Sequence, residues 1–273
     1  DQRLNLFAVT HHKKDWKSPR ALIIFNGLGE HGGRYLHTPH YLHETLEAIR
    51  CVDQRGHGRA EGLRGHVENF DQFADDAAVA IRRFHDQIHA KFGKAELHVL
   101  GHSMGGLIVL RTLFLHPDLP LRSAAVSAPL LGVKVKLNPI KILGAHVLAR
   151  IWGSLHMNSE IDPGLLSHDT AVGEAYLADR LVHTKGTPRF YVEMQKAIAD
   201  TLTRESGIEV PLQMLIPTED SIVDSNRALT FFQKLKHREK ELRTYEGFYH
   251  EIFNEIGKER VFQDLAAWIR THD

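Results

Sequence analysis

The sequence predicts an α/β protein, a mainly parallel, doubly wound sheet broken once by a helical insertion. Three observations carry this. Short apolar runs alternate with amphipathic helical stretches along most of the chain. A serine between two glycines sits where one apolar run meets a helix. The alternation stops between about residues 132 and 207. Strands alternating with helices need crossover connections, and these give parallel sheets covered on both faces.

The elements follow in order. Leu4–Val9 is a weak strand candidate. Ala21–Phe25 (ALIIF) is a continuous apolar run, expected of a buried strand. Leu46-Glu47-Ala48-Ile49 runs directly into a strand containing Cys51, so that connection is expected to be short. Phe73, Ala77, Ala80, Ile81, Phe84 and Ile88 recur at helical spacing and predict a helix over 73–92. Glu96–Leu100 (ELHVL) and Ala124–Ser127 (AAVS) read as buried strands, with a helix beginning just after Ser103. Pro211–Ile216 (PLQMLI) is another buried strand, followed by a helix with Ala228, Phe231 and Phe232. Leu242–Tyr245 is a weaker strand, and Val261–Ile269 has a helical pattern.

The interruption holds no clear strand. Ile140, Leu143, Val147, Ile151 and Leu155 form one helical stripe within Leu137–Leu155. The expected organisation is therefore a core of residues 1–131 and 208–273 with a helical cap over 132–207. An insertion at the carboxyl end of a parallel sheet lies over the crevice where ligands bind.

Bulk composition narrows the function classes. The chain has 273 residues, 42% hydrophobic and 25% charged, which is ordinary for a globular protein. Thirty-four Lys and Arg balance thirty-four Asp and Glu, so no basic face for nucleic acid is indicated. The single cysteine, Cys51, excludes a disulfide framework. The 20 histidines are scattered, and no His-Glu-x-x-His element or Cys/His cluster is present, so no metal site is expected. No run approaches the roughly 18–20 apolar residues of a membrane span. The chain begins at Asp1 without a signal-like segment, which leaves an upstream piece open. The expected location is the cytoplasm, with a place at a membrane surface as the alternative.

The chemistry is concentrated around Gly101-His102-Ser103-Met104-Gly105. This fits G-x-S-x-G, in which a strand enters, the chain turns sharply at the serine, and a helix leaves. The turn exposes one hydroxyl beside a helix N-terminus whose N–H groups are unpaired. A serine hydroxyl needs a base, and on such an elbow the acid and then the histidine follow in chain order. The loop after PLQMLI supplies Asp220 as first choice. Asp224, which also suits an N-cap, and Glu219 are the alternatives. After the last strand, His250 is the one histidine before the final helix. His31, His57 and His102 break this order and are expected to be structural or to line the pocket. The oxyanion donors are assigned to the backbone N–H of Met104 and, from the loop Asn26-Gly27-Leu28-Gly29-Glu30-His31-Gly32-Gly33, to that of Leu28. That loop lacks the further elements of a phosphate-binding fingerprint.

With these residues in place, GHSMGG, GLGEHGGRY, DQRGHG (Asp53–Gly58), GHVENFDQFADD (Gly65–Asp76) and YEGFYHEIF together resemble the monoacylglycerol lipase and lysophospholipase branch of the α/β-hydrolases. The resemblance runs from Leu4 through nearly the whole chain. It implies a Ser103–Asp220–His250 triad, oxyanion donors at Leu28 and Met104, a cap over an acyl tunnel, no cofactor, and a single-chain lipid ester as substrate. Two departures stand out. Asn26-Gly27 replaces the usual His-Gly, and a Gly-rich turn before the Cys51 strand is missing.

Candidate substrate contacts are Glu30 and Arg34 for a polar head group, and Leu137, Ile140, Ile151 and Trp152 for the acyl chain. A basic, amphipathic cap is also suited to transient contact with a bilayer surface. The rival readings are another serine acyl hydrolase or acyltransferase (peptidase, thioesterase), or a low-turnover ligand receptor on the same fold. Haloalkane and epoxide chemistry is disfavoured, because those enzymes usually carry a carboxylate at the elbow.

Overall fold

The computed structural model describes residues 4–134, 139–158 and 161–273, with side chains of the helix at 139–151 described from residue 143. A seven-stranded sheet forms the centre. Its strands are β1 (Phe7–His12), β2 (Arg20–Phe25), β3 (Ala48–Asp53), β4 (Glu96–His102), β5 (Ser123–Ser127), β8 (Leu212–Pro217) and β9 (Lys240–Tyr245). Their order is β1-β3-β2-β4-β5-β8-β9. β1 runs antiparallel to β3 and the other neighbours pair in parallel. The weak candidate at Leu4–Val9 is displaced toward the C-terminus, because pairing Phe7 with Asp53 and His12 with Ala48 sets its register.

Both faces are covered, which is why the central strands are continuously apolar. Ala21, Ile23 and Phe25 of β2 face one core with α2 (Asp71–Phe92), α3 (Met104–Leu115) and α7 (Ser225–Lys234). Leu22 and Ile24 face the other, with α1 (Thr38–Leu42) and α8 (Glu259–Thr271). Alternate side chains point to opposite faces, so one strand serves both layers.

Strand order decides where the site lies. From β2 the chain crosses to β3 on one side, then returns to place β4 on the other side of β2. The loops leaving β2 and β4 therefore diverge and open a crevice at the carboxyl edge, the topological switch point of such sheets.

The insertion between β5 and β8 contains α4 (Pro139–Ile151), β6 (Met157–Asn158), α5 (Thr170–Ala178), β7 (Lys185–Gly186) and α6 (Pro188–Thr203). The two-residue strands β6 and β7 pair antiparallel, a feature absent from the expectation of a wholly helical segment. Hydrogen bonds tie the insertion to loops at the carboxyl edge of the sheet. His183 N–H donates to Gly29 O at 2.8 Å, Thr187 N–H to Gly65 O at 3.1 Å, and Glu251 N–H to Leu166 O at 2.8 Å. Phe190 of α6 joins Phe70 and Phe73 in the core beneath.

Candidate active site

Gly101, Ser103 and Gly105 are explained by contact. A Cβ on Gly101 would overlap the Gly105 carbonyl, and one on Gly105 would overlap the Phe25 carbonyl. Strand, elbow and helix approach so closely that only glycine fits. Ser103 has φ 54°, an uncommon conformation for a residue with a side chain. The surroundings hold it there. Ser103 N–H donates to Ser127 O at 2.9 Å, and Leu130 N–H donates to Ser103 O at 3.0 Å.

Three side chains form one hydrogen-bonded run. Ser103 Oγ lies 2.9 Å from His250 Nε2, and His250 Nδ1 lies 2.6 Å from Asp220 Oδ2. The other carboxylate oxygen, Oδ1, accepts from Ile222 N–H at 2.8 Å and Val223 N–H at 2.9 Å. All three residues are buried. Glu219 is exposed, and Asp224 caps α7 by accepting from Asn226 N–H at 3.1 Å, so neither alternative carboxylate meets His250.

The electrostatics suit a base at Nε2. Burial disfavours the charged imidazole of His250, but the charge and hydrogen bond of Asp220 outweigh it, and Glu251 and Glu30 add to them. The net result is a pKa raised above the ordinary value. Burial opposes ionisation of Asp220, yet His250 and the two backbone N–H groups hold its pKa below the usual carboxylate value. His102, whose ring centroid is 4.8 Å from that of His250, is held neutral by burial and the neighbouring charges, and its Nδ1 meets Ser127 Oγ at 2.8 Å.

The loop after β2 is pinned beside Ser103. The Asn26 side-chain amide donates to Gly27 O at 2.9 Å and Glu30 O at 3.0 Å. Gln54 donates to Asn26 O at 2.5 Å, and Gly27 N–H to Glu30 Oε1 at 2.5 Å. Asn26 thus occupies the place of the usual histidine and braces the turn through its own amide. Leu28 lines the cavity at Ser103, and Met104 opens α3. Among the described residues, neither backbone N–H is given to a protein acceptor.

Glu30 and Arg34 come together, though not as a surface pair. Arg34 Nε is 3.5 Å from Glu30 Oε2, its Nη2 is 2.7 Å from Glu251 Oε2, and all three side chains are largely buried. Tyr35 Oη donates to Glu30 Oε1 at 2.8 Å. Glu30 lines the cavity, whereas Arg34 lies behind it with its guanidinium over the Tyr176 ring. Ile151 and Trp152, read as acyl-chain contacts, are instead 78% and 61% exposed and do not line the cavity. Leu143, Val147 and Ile151 on α4 are all exposed, and Trp152 directly follows the last residue of that helix. Leu137 and the Ile140 side chain lie outside the described residues.

The cavity itself is small, about 30 Å³. Its apolar wall is Leu28, Ile161, Leu166 and Ile222, and its polar wall includes Glu30, Tyr176 and Glu251. Sequence reasoning missed Tyr176, Ile161 and Leu166, which reach the site only through the fold of the insertion. Glu251 had a signal, as a carboxylate directly after the candidate base. The other singled-out histidines are structural. His57 is fully buried, and burial pushes its pKa down to about 3. His31 meets Asp179 at 2.7 Å. The Cys51 thiol is pushed up to about 12 by burial and by Asp53.

A doubly wound sheet bearing a glycine-framed serine elbow, with an imidazole and a buried carboxylate aligned behind it, defines a serine hydrolase of the α/β-hydrolase fold. The chain belongs to the family described as serine aminopeptidase, S33, whose sequence pattern it matches over residues 17–257. It is 28% identical to phospholipase YtpA of Bacillus subtilis over 257 residues, covering 93% of this chain and 97% of that protein. It is also 28% identical, over 256 residues, to an uncharacterised abhydrolase domain-containing protein of Dictyostelium discoideum; this covers 92% of the chain but only 26% of that longer protein. The crystal structure of Paleococcus ferrophilus monoacylglycerol lipase superposes with a TM-score of 0.85 at 26% identity, covering 98% of this chain and all of that one. Among the described residues no helix is long and apolar enough to cross a membrane.

Proposed function

We propose that the chain is a carboxylic-ester hydrolase that releases a fatty acid from single-chain glycerolipids, monoacylglycerol or lysophospholipid. The observation that carries this is the Ser103–His250–Asp220 run opening onto a cavity with one apolar and one polar wall. His250 Nε2 takes the Ser103 proton as Oγ attacks the ester carbonyl. Asp220 fixes the imidazole and stabilises its charged form. The Leu28 and Met104 N–H groups receive the developing oxyanion. His250 then returns the proton to the leaving glycerol oxygen and activates water against the acyl-enzyme.

Residues 132–207 act as the cap. Ile161, Leu166 and Tyr176 close a space too small for a glycerolipid, so substrate enters when they part from the core. The same cap supplies the contact with the lipid surface. Leu143, Val147 and Ile151 recur at four-residue spacing on α4 and are exposed together with Trp152. That apolar stripe dips into the headgroup layer of a bilayer. We expect I151E/W152E to lower hydrolysis of lipid presented in vesicles about tenfold while a water-soluble p-nitrophenyl ester is turned over as before. Equal loss on both substrates would place these residues elsewhere in the mechanism.

The peptidase reading, which the family description raises, asks for a carboxylate free to bind a substrate amine. Glu30 and Glu251 are the carboxylates in the cavity, and both are engaged by Arg34. The deciding experiment compares fatty-acid release from monoacylglycerol and lysophosphatidylcholine with release of p-nitroaniline from aminoacyl anilides. The expected result is Ser103-dependent release from at least one lipid and none from the anilides. Anilide cleavage without lipid cleavage overturns the proposal.

A further inference from the structure

A second cavity, of about 450 Å³, lies beside the first. Its walls are Gly58 and Arg64 from the loop after β3, and a stretch of the insertion from Tyr176 to Lys185. Tyr176 lines both this cavity and the one at Ser103, so the two spaces share a wall residue. The lining is strongly unbalanced in charge. Arg64, Arg180 and Lys185 face a single carboxylate, Asp179. That carboxylate is already occupied, meeting His31 Nε2 at 2.7 Å and accepting from Leu181 N–H at 2.8 Å. Among the described residues none of the three cations is paired with a carboxylate, and Arg64 reaches only the Ala60 carbonyl, at 3.2 Å. Burial, with the charges of Arg64 and Lys185 behind it, also lowers the pKa of His183 on the same wall. A concave wall carrying unpaired cations concentrates positive potential and draws anions. Guanidinium groups match phosphate oxygens in pairs.

The geometry points to this cavity as an anion subsite that takes the phosphate head group of a lysophospholipid while its ester lies at Ser103. The inference rests on the ester-hydrolase reading and narrows it. A monoacylglycerol leaves the three cations without a counter-ion, whereas a lysophospholipid carries its charge one glycerol away from the ester and straddles Tyr176.

The test measures equilibrium binding to S103A protein by calorimetry, below the concentration at which the lipids form micelles. The probes are 1-acyl lysophosphatidic acid, the 1-monoacylglycerol of the same chain, and inorganic phosphate. Lysophosphatidic acid is expected to bind about tenfold or more tightly than monoacylglycerol, the equivalent of one charge-assisted contact. That advantage is expected to vanish in S103A/R180Q/K185Q, and separately to fall in S103A/R64Q. Inorganic phosphate is expected to compete with lysophosphatidic acid but to bind more weakly than it. Equal affinity for the two lipids overturns the subsite, as does an advantage that survives removal of the charges. Phosphate binding as tightly as the lipid makes this a site for free anions and overturns the headgroup assignment. Because S103A protein is used, the binding result stands whatever the wild type hydrolyses. Absence of Ser103-dependent turnover on every ester sinks the functional reading instead.

Discussion

Ser103→Ala is expected to reduce turnover of any ester substrate by on the order of a millionfold in kcat, leaving only the contribution of binding and the oxyanion donors. The loss should be nearly complete because in the proposed mechanism this hydroxyl forms the acyl-enzyme. Oγ sits 2.9 Å from His250 Nε2 at the head of the hydrogen-bonded run. Stability should change little. The backbone bonds that hold the elbow, Ser103 N–H to Ser127 O and Leu130 N–H to Ser103 O, do not involve the side chain. Removing Oγ also leaves His250 its second partner, Asp220. The check is steady-state hydrolysis of a p-nitrophenyl ester, with covalent labelling by a fluorophosphonate as a second readout. Turnover within tenfold of wild type would remove Ser103 from the reaction.

Asp220→Asn is expected to cost about ten thousandfold in kcat, the loss typical when the carboxylate behind a catalytic imidazole becomes an amide. The amide keeps an oxygen for the Ile222 and Val223 N–H groups, so the loop should stay folded. What changes is the imidazole. In the wild type its pKa is raised above the ordinary 6.5, by Asp220 first and then by Glu251 and Glu30, against the opposing effect of burial. The base works only when neutral, so wild-type activity rises with pH through that raised value. Without the Asp220 charge, burial dominates and the acid limb should move to lower pH even as the plateau falls. A pH profile of kcat/KM for both proteins reads this directly. An unmoved limb would detach the titration from His250.

The same pair links pH to stability, with opposite signs. The Asp220 contribution, from a depressed pKa, is present above its unfolded value and is lost as pH falls through the lower folded value. The His250 contribution, from a raised pKa, is present below its unfolded value and is lost as pH rises through the higher folded one. The pair therefore stabilises most between these limits, on the acid side of the range in which His250 is a competent base.

The site is built from segments of unequal visibility. The elbow was legible because its constraint is local. Strand, tight turn and helix demand glycine at fixed offsets from one serine, and the flanking apolar runs mark which G-x-S-x-G is real. His250 was legible by chain order and elimination. Asp220 required a choice among three neighbouring acids, and only the register of the loop after β8 puts its Oδ2, rather than Asp224 or Glu219, on the imidazole. The short connection into β3 was also legible. It is a glycine-free turn, with Thr45 N–H and Leu46 N–H both donating to Leu42 O.

The insertion shows the limit. Its helical stripe could be counted, but periodicity gives a face and not a direction. Leu143, Val147 and Ile151 have the spacing of a packed helix and yet are exposed, while Tyr176, Ile161 and Leu166 have no local pattern and reach the cavity. Glu30 and Arg34 likewise read as a loop pair at i, i+4. In the fold Arg34 is also held, at 2.7 Å, by Glu251, more than two hundred residues away in sequence.

The sequence by itself determined the fold class, the serine elbow and the chain order of its partners, because each follows from short-range sterics and hydrophobic periodicity. The tertiary structure alone decided which carboxylate meets His250, which insertion residues wall the crevice, and that Arg64, Arg180 and Lys185 share one cavity beside Tyr176. Those facts depend on where distant loops converge at the carboxyl edge of the sheet. Convergence is fixed by strand order and by packing across the whole chain, and no local pattern encodes it.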